Sequence, residues 1–305
     1  MFGTAILAAM ALSGAPDPYG QDQIPQAGPQ GLPTDLGEVV VQGTLEERVQ
    51  AFVKEVGAPP RYRFMARWHD PVCIGVVNME NTAAQAIADR IGAVAADLDI
   101  RVKQPGCNPN VVVIFADDAR GLASEMVARD RGLFIHPQMS AFNRGERALE
   151  TFTTSDAPVR WWHMSMPVDT NTGYRAVTLR SDLIPNFARI SGSRLSVTIR
   201  DVLYKAIVIV DVNQLGDTGF EQLSDYLAMV ALAQIDPEAE IAGHHTVLNV
   251  FRQPTIADGL TEWDRSYLEA LYSTISLRRN PGARQSETAG LMIRDQRAEN
   301  SETAD

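Results

Sequence analysis

No stretch of this chain approaches the ~18–20 continuous apolar residues that carry a helix across a bilayer, so no integral membrane segment is expected. It has no run of Lys or Arg either. With 27 basic against 38 acidic residues the formal net charge is -11. That balance repels phosphate backbones and argues against a nucleic-acid partner. There is no Gly-x-Ser-x-Gly elbow, no phosphate loop and no dinucleotide fingerprint. Ser193, in Ser191-Gly192-Ser193, lacks the elbow's second glycine. Cysteine is scarce. Cys73 and Cys107 are the only two, and their spacing fits neither a zinc knuckle nor a Cys-x-x-Cys redox motif. An even count in an exported chain suggests one disulfide between them. A reactive alternative is a Cys73–His69 thiol–imidazole pair, which would need a third orienting group.

What is present is organised around Tyr204–Pro237. Ala206-Ile207-Val208-Ile209-Val210-Asp211 is a β-branched run without polar alternation, which predicts a strand buried on both faces. Thr218-Gly219-Phe220-Glu221 has the form of a capping box. Leu223, Leu227, Val230 and Ala231 then recur at helical spacing up to Asp236-Pro237. Ser224 and Asp225 interrupt an otherwise apolar surface, so this helix is expected to be central.

Residues 1–15 are small and apolar and resemble the h-region of a secretory signal without its basic n-region. Residues 16–43 are rich in Pro, Gly and Gln and read as a linker, with Glu38–Thr44 a short edge strand. Together these predict a periplasmic or secreted protein. Residues 44–277 form the expected α/β domain, and residues 278–305 a polar tail holding a marginal helix. Within the domain, Thr44-Leu45-Glu46-Glu47 caps a helix, and Leu45, Val49, Phe52, Val53 and Val56 share its apolar face. Arg63–Trp68, Val72–Val77 and Val111–Phe115 read as strands, and Thr82 opens a helix between the last two. Asp117-Asp118 reads as the N-cap of a helix over 117–131. Residues 132–154 look irregular. Trp161–Met166 is a strand candidate, with Arg175–Leu179 pairing back as a hairpin. Arg194–Ile199 is another. Alternating buried strands and amphipathic helices define a mixed α/β sheet.

The order of these elements, ending in Gly259-Leu260-Thr261-Glu262-Trp263-Asp264-Arg265-Ser266-Tyr267-Leu268-Glu269-Ala270-Leu271-Tyr272, resembles a group of uncharacterised exported bacterial proteins whose domain is similar to the zincin metallopeptidases. The resemblance implies a zincin-like fold whose central helix would carry a metal site. A zincin needs two His four apart on that helix, with a Glu beside the first as general base. Here Glu221–Leu232 contains no His, and no two of His69, His136, His163, His244 and His245 are four apart. The resemblance therefore implies a pseudoenzyme with no catalytic residue, no metal ligand and no cofactor.

Other candidates have a functional and a structural reading each. Glu221 and Asp225 could hold a cation or act as an acid/base pair. Otherwise Asp225 is a buried carboxylate paired with an Arg. Asp211 ends a buried strand, where sites often lie or turns form. Trp161, Trp162 and His163 could line a ligand surface or pack in the core. The expectation is a non-enzymatic envelope protein whose partner is an unknown protein or small ligand. The alternative is a hydrolase with non-standard catalytic residues.

Overall fold

The computed structural model describes residues 43–59, 63–135, 144–174, 176, 198–274 and 280–302. The signal-like segment, linker residues 16–42, His136 and Ser193 lie outside the described residues; of the expected partner strand at Arg175–Leu179 only Ala176 is described, and its N–H donates to Pro167 O of the facing strand at 2.9 Å. The described chain is a mixed α/β structure with a five-stranded sheet and eight α-helices.

The spine of the sheet is β5 (Ile199–Asp211), which is longer than the run Ala206–Asp211 that announces it. Along one edge it pairs antiparallel with β4 (Val159–Asp169). Its other edge is shared by two parallel partners. The two-residue β1 (Arg67–Trp68) meets Val202 and Leu203, and β3 (Val111–Ala116) meets Ala206 to Asp211. β2 (Ile74–Val77) then pairs parallel with β3 and forms the outer edge. A β-bulge at Tyr204, between Met164↔Lys205 and Ser165↔Leu203, resets the alternation of β5. Leu203 and Ala206, three apart, consequently face the same core.

Sheet residues divide between two apolar layers. Val111, Val113, Phe115, Trp161, Ala206, Val208 and Val210 face the larger core. It is covered by α1 (Leu45–Val56), α2 (Asn81–Asp97), α6 (Phe220–Leu232) and α7 (Glu262–Ser273). Trp162, Met164, Ile207 and Ile209 face a smaller core under α3 (Ala119–Arg129), α4 (Arg131–Phe134) and α5 (Glu146–Thr154). Both faces of β5 are therefore covered, which is why its sequence does not alternate.

Several boundaries follow local chemistry. α1 begins with the Thr44–Glu47 capping box and turns Val49, Phe52, Val53 and Val56 inward. Asp118 caps α3 by accepting from Gly121 N at 2.8 Å, and a Cβ at Gly121 would push against the capping carboxylate. Other boundaries differ from expectation. α2 is capped by Glu80 rather than opened by Thr82. α6 is capped at Gly219, whose N–H donates to Gln222 Oε1 at 2.7 Å, while the Thr218 hydroxyl is buried without a partner. That helix stops at Leu232, before Asp236-Pro237, and Ala233 turns to extended backbone. Within residues 132–154, α4 ends at Phe134 and α5 spans Glu146–Thr154, while residues 136–143 lie outside the described residues. The polar stretch after 278 holds α8 (Pro281–Glu302), which buries Ala289 and Met292 and packs on α1 and α7.

Candidate functional site

The two ends of α6 gather Asp225, Trp161 and His163 of the residues that the sequence singles out. At its N-terminal half, Asp225 is 4 % exposed and forms a two-pronged ion pair with Arg90 of α2, through Nε and, at 2.9 Å, through Nη2. The same carboxylate accepts from Leu260 N at 2.8 Å. Gly259 passes so close that a Cβ there would meet Asp225 Oδ2. Gln222 donates to Pro254 O and Ala257 O, both at 2.6 Å. Asp225 thus pins α2 and the 254–260 segment to α6. Glu221 is exposed and does not join it. The arrangement is the Arg-paired carboxylate, not a cation site or an acid/base pair.

At the other end, the last carbonyls of α6 have no helical partner. Aromatic side chains from three elements supply the donors. His163 Nε2 donates to Val230 O at 2.7 Å, Trp68 Nε1 to Ala231 O at 2.9 Å, and Tyr272 Oη to Leu232 O at 2.7 Å. Just beyond the helix, Trp161 Nε1 donates to Ile235 O at 2.9 Å. The aromatic pair and His163 are therefore structural donors and core residues rather than a ligand surface. Trp162 points the other way, against Phe134 and Phe152.

The carbonyl acceptor fixes His163 as the Nε2–H tautomer. Burial pushes its pKa down from 6.5 to about 4, against the pull of that hydrogen bond. Unfolded, the imidazole takes a proton below about 6.5, whereas folded it stays neutral until about 4. Stability is therefore lost as pH falls through this window, by about 3 kcal/mol in total. Urea unfolding at stepped pH should show this slope in the wild type. It should be shallower in His163→Gln, whose amide can keep the bond to Val230, with the remaining slope coming from His69 and His244, which burial also holds below 6.5. Equal slopes in the two proteins would refute the assignment.

Asp211 is a turn former. Its carboxylate accepts from Asn213 N at 3.1 Å, Gln214 Nε2 at 3.1 Å and Ala119 N at 3.2 Å, joining the end of β5 to the start of α3. Cys73 and Cys107 are disulfide-bonded across a sequence separation of 34, so a Cys73 thiolate paired with His69 does not exist. His244 packs its ring between Phe52 and Trp263. Among the described residues, no three His, Cys, Asp or Glu side chains converge as a metal site would require. The chemistry of α6 does not fit a zinc ion either. It carries no imidazole, its one inward carboxylate is bound to Arg90, and Leu227 to Leu232 are fully buried apolar residues.

Two residues escape sequence reasoning. Arg160 is 2 % exposed, and its guanidinium donates to Phe152 O at 3.1 Å and Ser155 O at 3.0 Å, closing the loop from α5 into β4. Asp264 is completely buried at the start of α7. It accepts from Thr246 Oγ1, from Val247 N at 2.8 Å and from Thr261 N at 3.1 Å. Burial pushes its carboxyl up, while these donors pull it down. A groove of about 400 Å³ runs along β2, between Asn81, Gln85 and Asp89 of α2 and the Val102–Cys107 segment that the disulfide holds in place.

Fold and site together place the chain in the mixed α/β class. No protein-family model, curated protein or solved structure matches it.

Proposed function

We propose that this is a non-catalytic protein of the bacterial envelope, periplasmic or secreted, with a binding or structural role on a zincin-like scaffold that no longer holds a metal. The observation that carries this reading is the state of α6. The helix follows the spine strand and lies against it, where a zincin would place its ligands. Its polar groups are occupied by the protein itself: Asp225 by Arg90 and Leu260 N, and the terminal carbonyls by His163, Trp68 and Tyr272. The disulfide supports an oxidising compartment.

Elemental analysis of full-length protein, purified without chelator and exposed to zinc, tests it directly. Sub-stoichiometric zinc is expected, together with no cleavage of unstructured protein substrates. Stoichiometric zinc, or zinc-dependent cleavage, would sink the proposal. The hydrolase alternative retains no thiol nucleophile, and its acidic version would need Asp225 freed from Arg90.

A further inference from the structure

The outer strand, β2, is paired along one edge only. Cys73 O accepts from Val111 N at 3.0 Å and Cys73 N donates to Asn110 Oδ1 at 2.7 Å, so the backbone of Cys73 points towards β3. Val72 points the other way. It donates to Arg101 O and accepts from Lys103 N, both at 2.8 Å. Backbone groups alternate in direction along a strand. Ile74 and Val76 therefore turn their N–H and C=O outward, in line with Val72, and neither has a hydrogen-bond partner there among the described residues.

Local chemistry stops the 101–103 segment from covering them. Pro105 has no N–H to give a ladder, and Gly106, at φ 85, turns the chain towards Cys107. The disulfide to Cys73 pins that turn. Beyond it the bare edge of Ile74 and Val76 lines the groove of about 400 Å³, between α2 and the Val102–Cys107 segment. That volume is in the range of ligand sites.

We propose that this edge takes an extended, uncharged peptide segment of a partner protein as a sixth strand. The chain itself shows what kind of neighbour the edge accepts, because the parallel bridge Val72↔Val102 is the first rung on the same side. α2 presents Ala84 and Ala88 to the groove, and their small side chains leave room beside Ile74 and Val76 for a β-branched one. The ionised groups of the lining balance: Asp89, which accepts from Gln85 Nε2 at 2.7 Å, and Lys103. A neutral segment suits that pair, and the protein's net charge of -11 repels an acidic one. The recess between two walls admits a single strand and shields the edge from that of a second sheet. Main-chain hydrogen bonds would supply affinity and the space over the alanines selectivity. The site gives the binding role proposed above a partner class but uses no residue of α6. A zinc-loaded α6 would leave it unchanged, so the two tests fail separately.

The probe is the peptide acetyl-Thr-Val-Thr-Val-Thr-amide, added to full-length protein while amide exchange is followed by NMR. Without it, the Ile74 and Val76 amides should exchange fast, and that of Gly75, which faces β3, slowly. With the probe at about 1 mM, exchange at Ile74 and Val76 should slow about tenfold or more. An added strand uses the N–H of every second residue. N-methylation of either the two Val or the three Thr of the probe should therefore abolish the effect, and methylation of the other set should spare it. A probe with Pro at its centre should be inactive. Ala88→Phe fills the groove from a part-buried helix position and should weaken binding about tenfold or more, at an unchanged thermal midpoint, while Ala88→Ser should bind as the wild type does. Slow exchange at Ile74 and Val76 in the free protein would mean that the chain or a second copy already covers the edge, and would overturn the proposal. So would amides that the probe leaves unchanged, equal effects of the two methylated sets, or full binding by Ala88→Phe.

Discussion

Replacing both cysteines, as Cys73→Ala with Cys107→Ala, is expected to lower the unfolding free energy by about 4 kcal/mol and the thermal midpoint by about 10 °C. The bond closes a loop with a sequence separation of 34 that contains β2, α2 and the start of the segment leading into β3. Removing it returns the conformational freedom of that loop to the unfolded chain, which is where most of the loss arises. A smaller part is native. Val72 pairs with the 101–103 segment through Val72 N to Arg101 O and Lys103 N to Val72 O, both at 2.8 Å. That bridge lies beside the bond and would hold the loop less firmly alone. Cys73 is 1 % exposed, so the double variant is a cleaner test than added reductant. A midpoint within a degree or two of the wild type would show that the bridge constrains nothing the fold does not already hold.

The second large effect is expected at Asp264. Asp264→Ala should cost about 4 kcal/mol, read as a shift in the urea midpoint at unchanged slope. The carboxylate is fully buried and stitches two segments together, the turn at Thr246–Val247 and the first turn of α7 at Thr261. Truncation strands Val247 N, Thr261 N and the Thr246 hydroxyl in a region water does not reach, and each orphan costs about 1–3 kcal/mol. Asp264→Asn keeps the shape but turns an NH2 group towards donors, so it should cost less than Ala yet remain clearly destabilising. If the Ala variant lost under 1 kcal/mol, water would have to replace the carboxylate and the pocket would not be dry.

The middle of the sheet was legible in the sequence because β3 and β5 are covered on both faces. Val111–Phe115 and Ala206–Asp211 announce themselves by β-branched runs, and α1 and α3 by caps whose chemistry is local. Elements that depend on distant contacts were not. α5 has nine residues and buries only Leu149 and Phe152, and it follows Gly145 at φ 88, a turn signal that hides a helix start. α8 has little apolar stripe of its own and owes its place to α1 and α7. The shift of the α6 cap from Thr218 to Gly219 came from one residue, Gln222, taking the reciprocal role assigned to Glu221.

The site divides the same way. The cysteine pairing and the Arg-bound form of Asp225 could be anticipated from count and burial. No sequence pattern says that Trp68, His163 and Tyr272, 95 to 204 residues apart, converge on one helix end. The bare backbone edge of Ile74 and Val76 is equally invisible until the register of β2 on β3 is known.

The spine strand also imposes an order on assembly. β1, β3 and β4 all hydrogen-bond to Ile199–Asp211, which the ribosome delivers after every one of them. Until that segment emerges, roughly the first two-thirds of the polypeptide lacks the partner that would let it close. Such late, long-range closure is slow, and it keeps the nascent chain loose for most of synthesis.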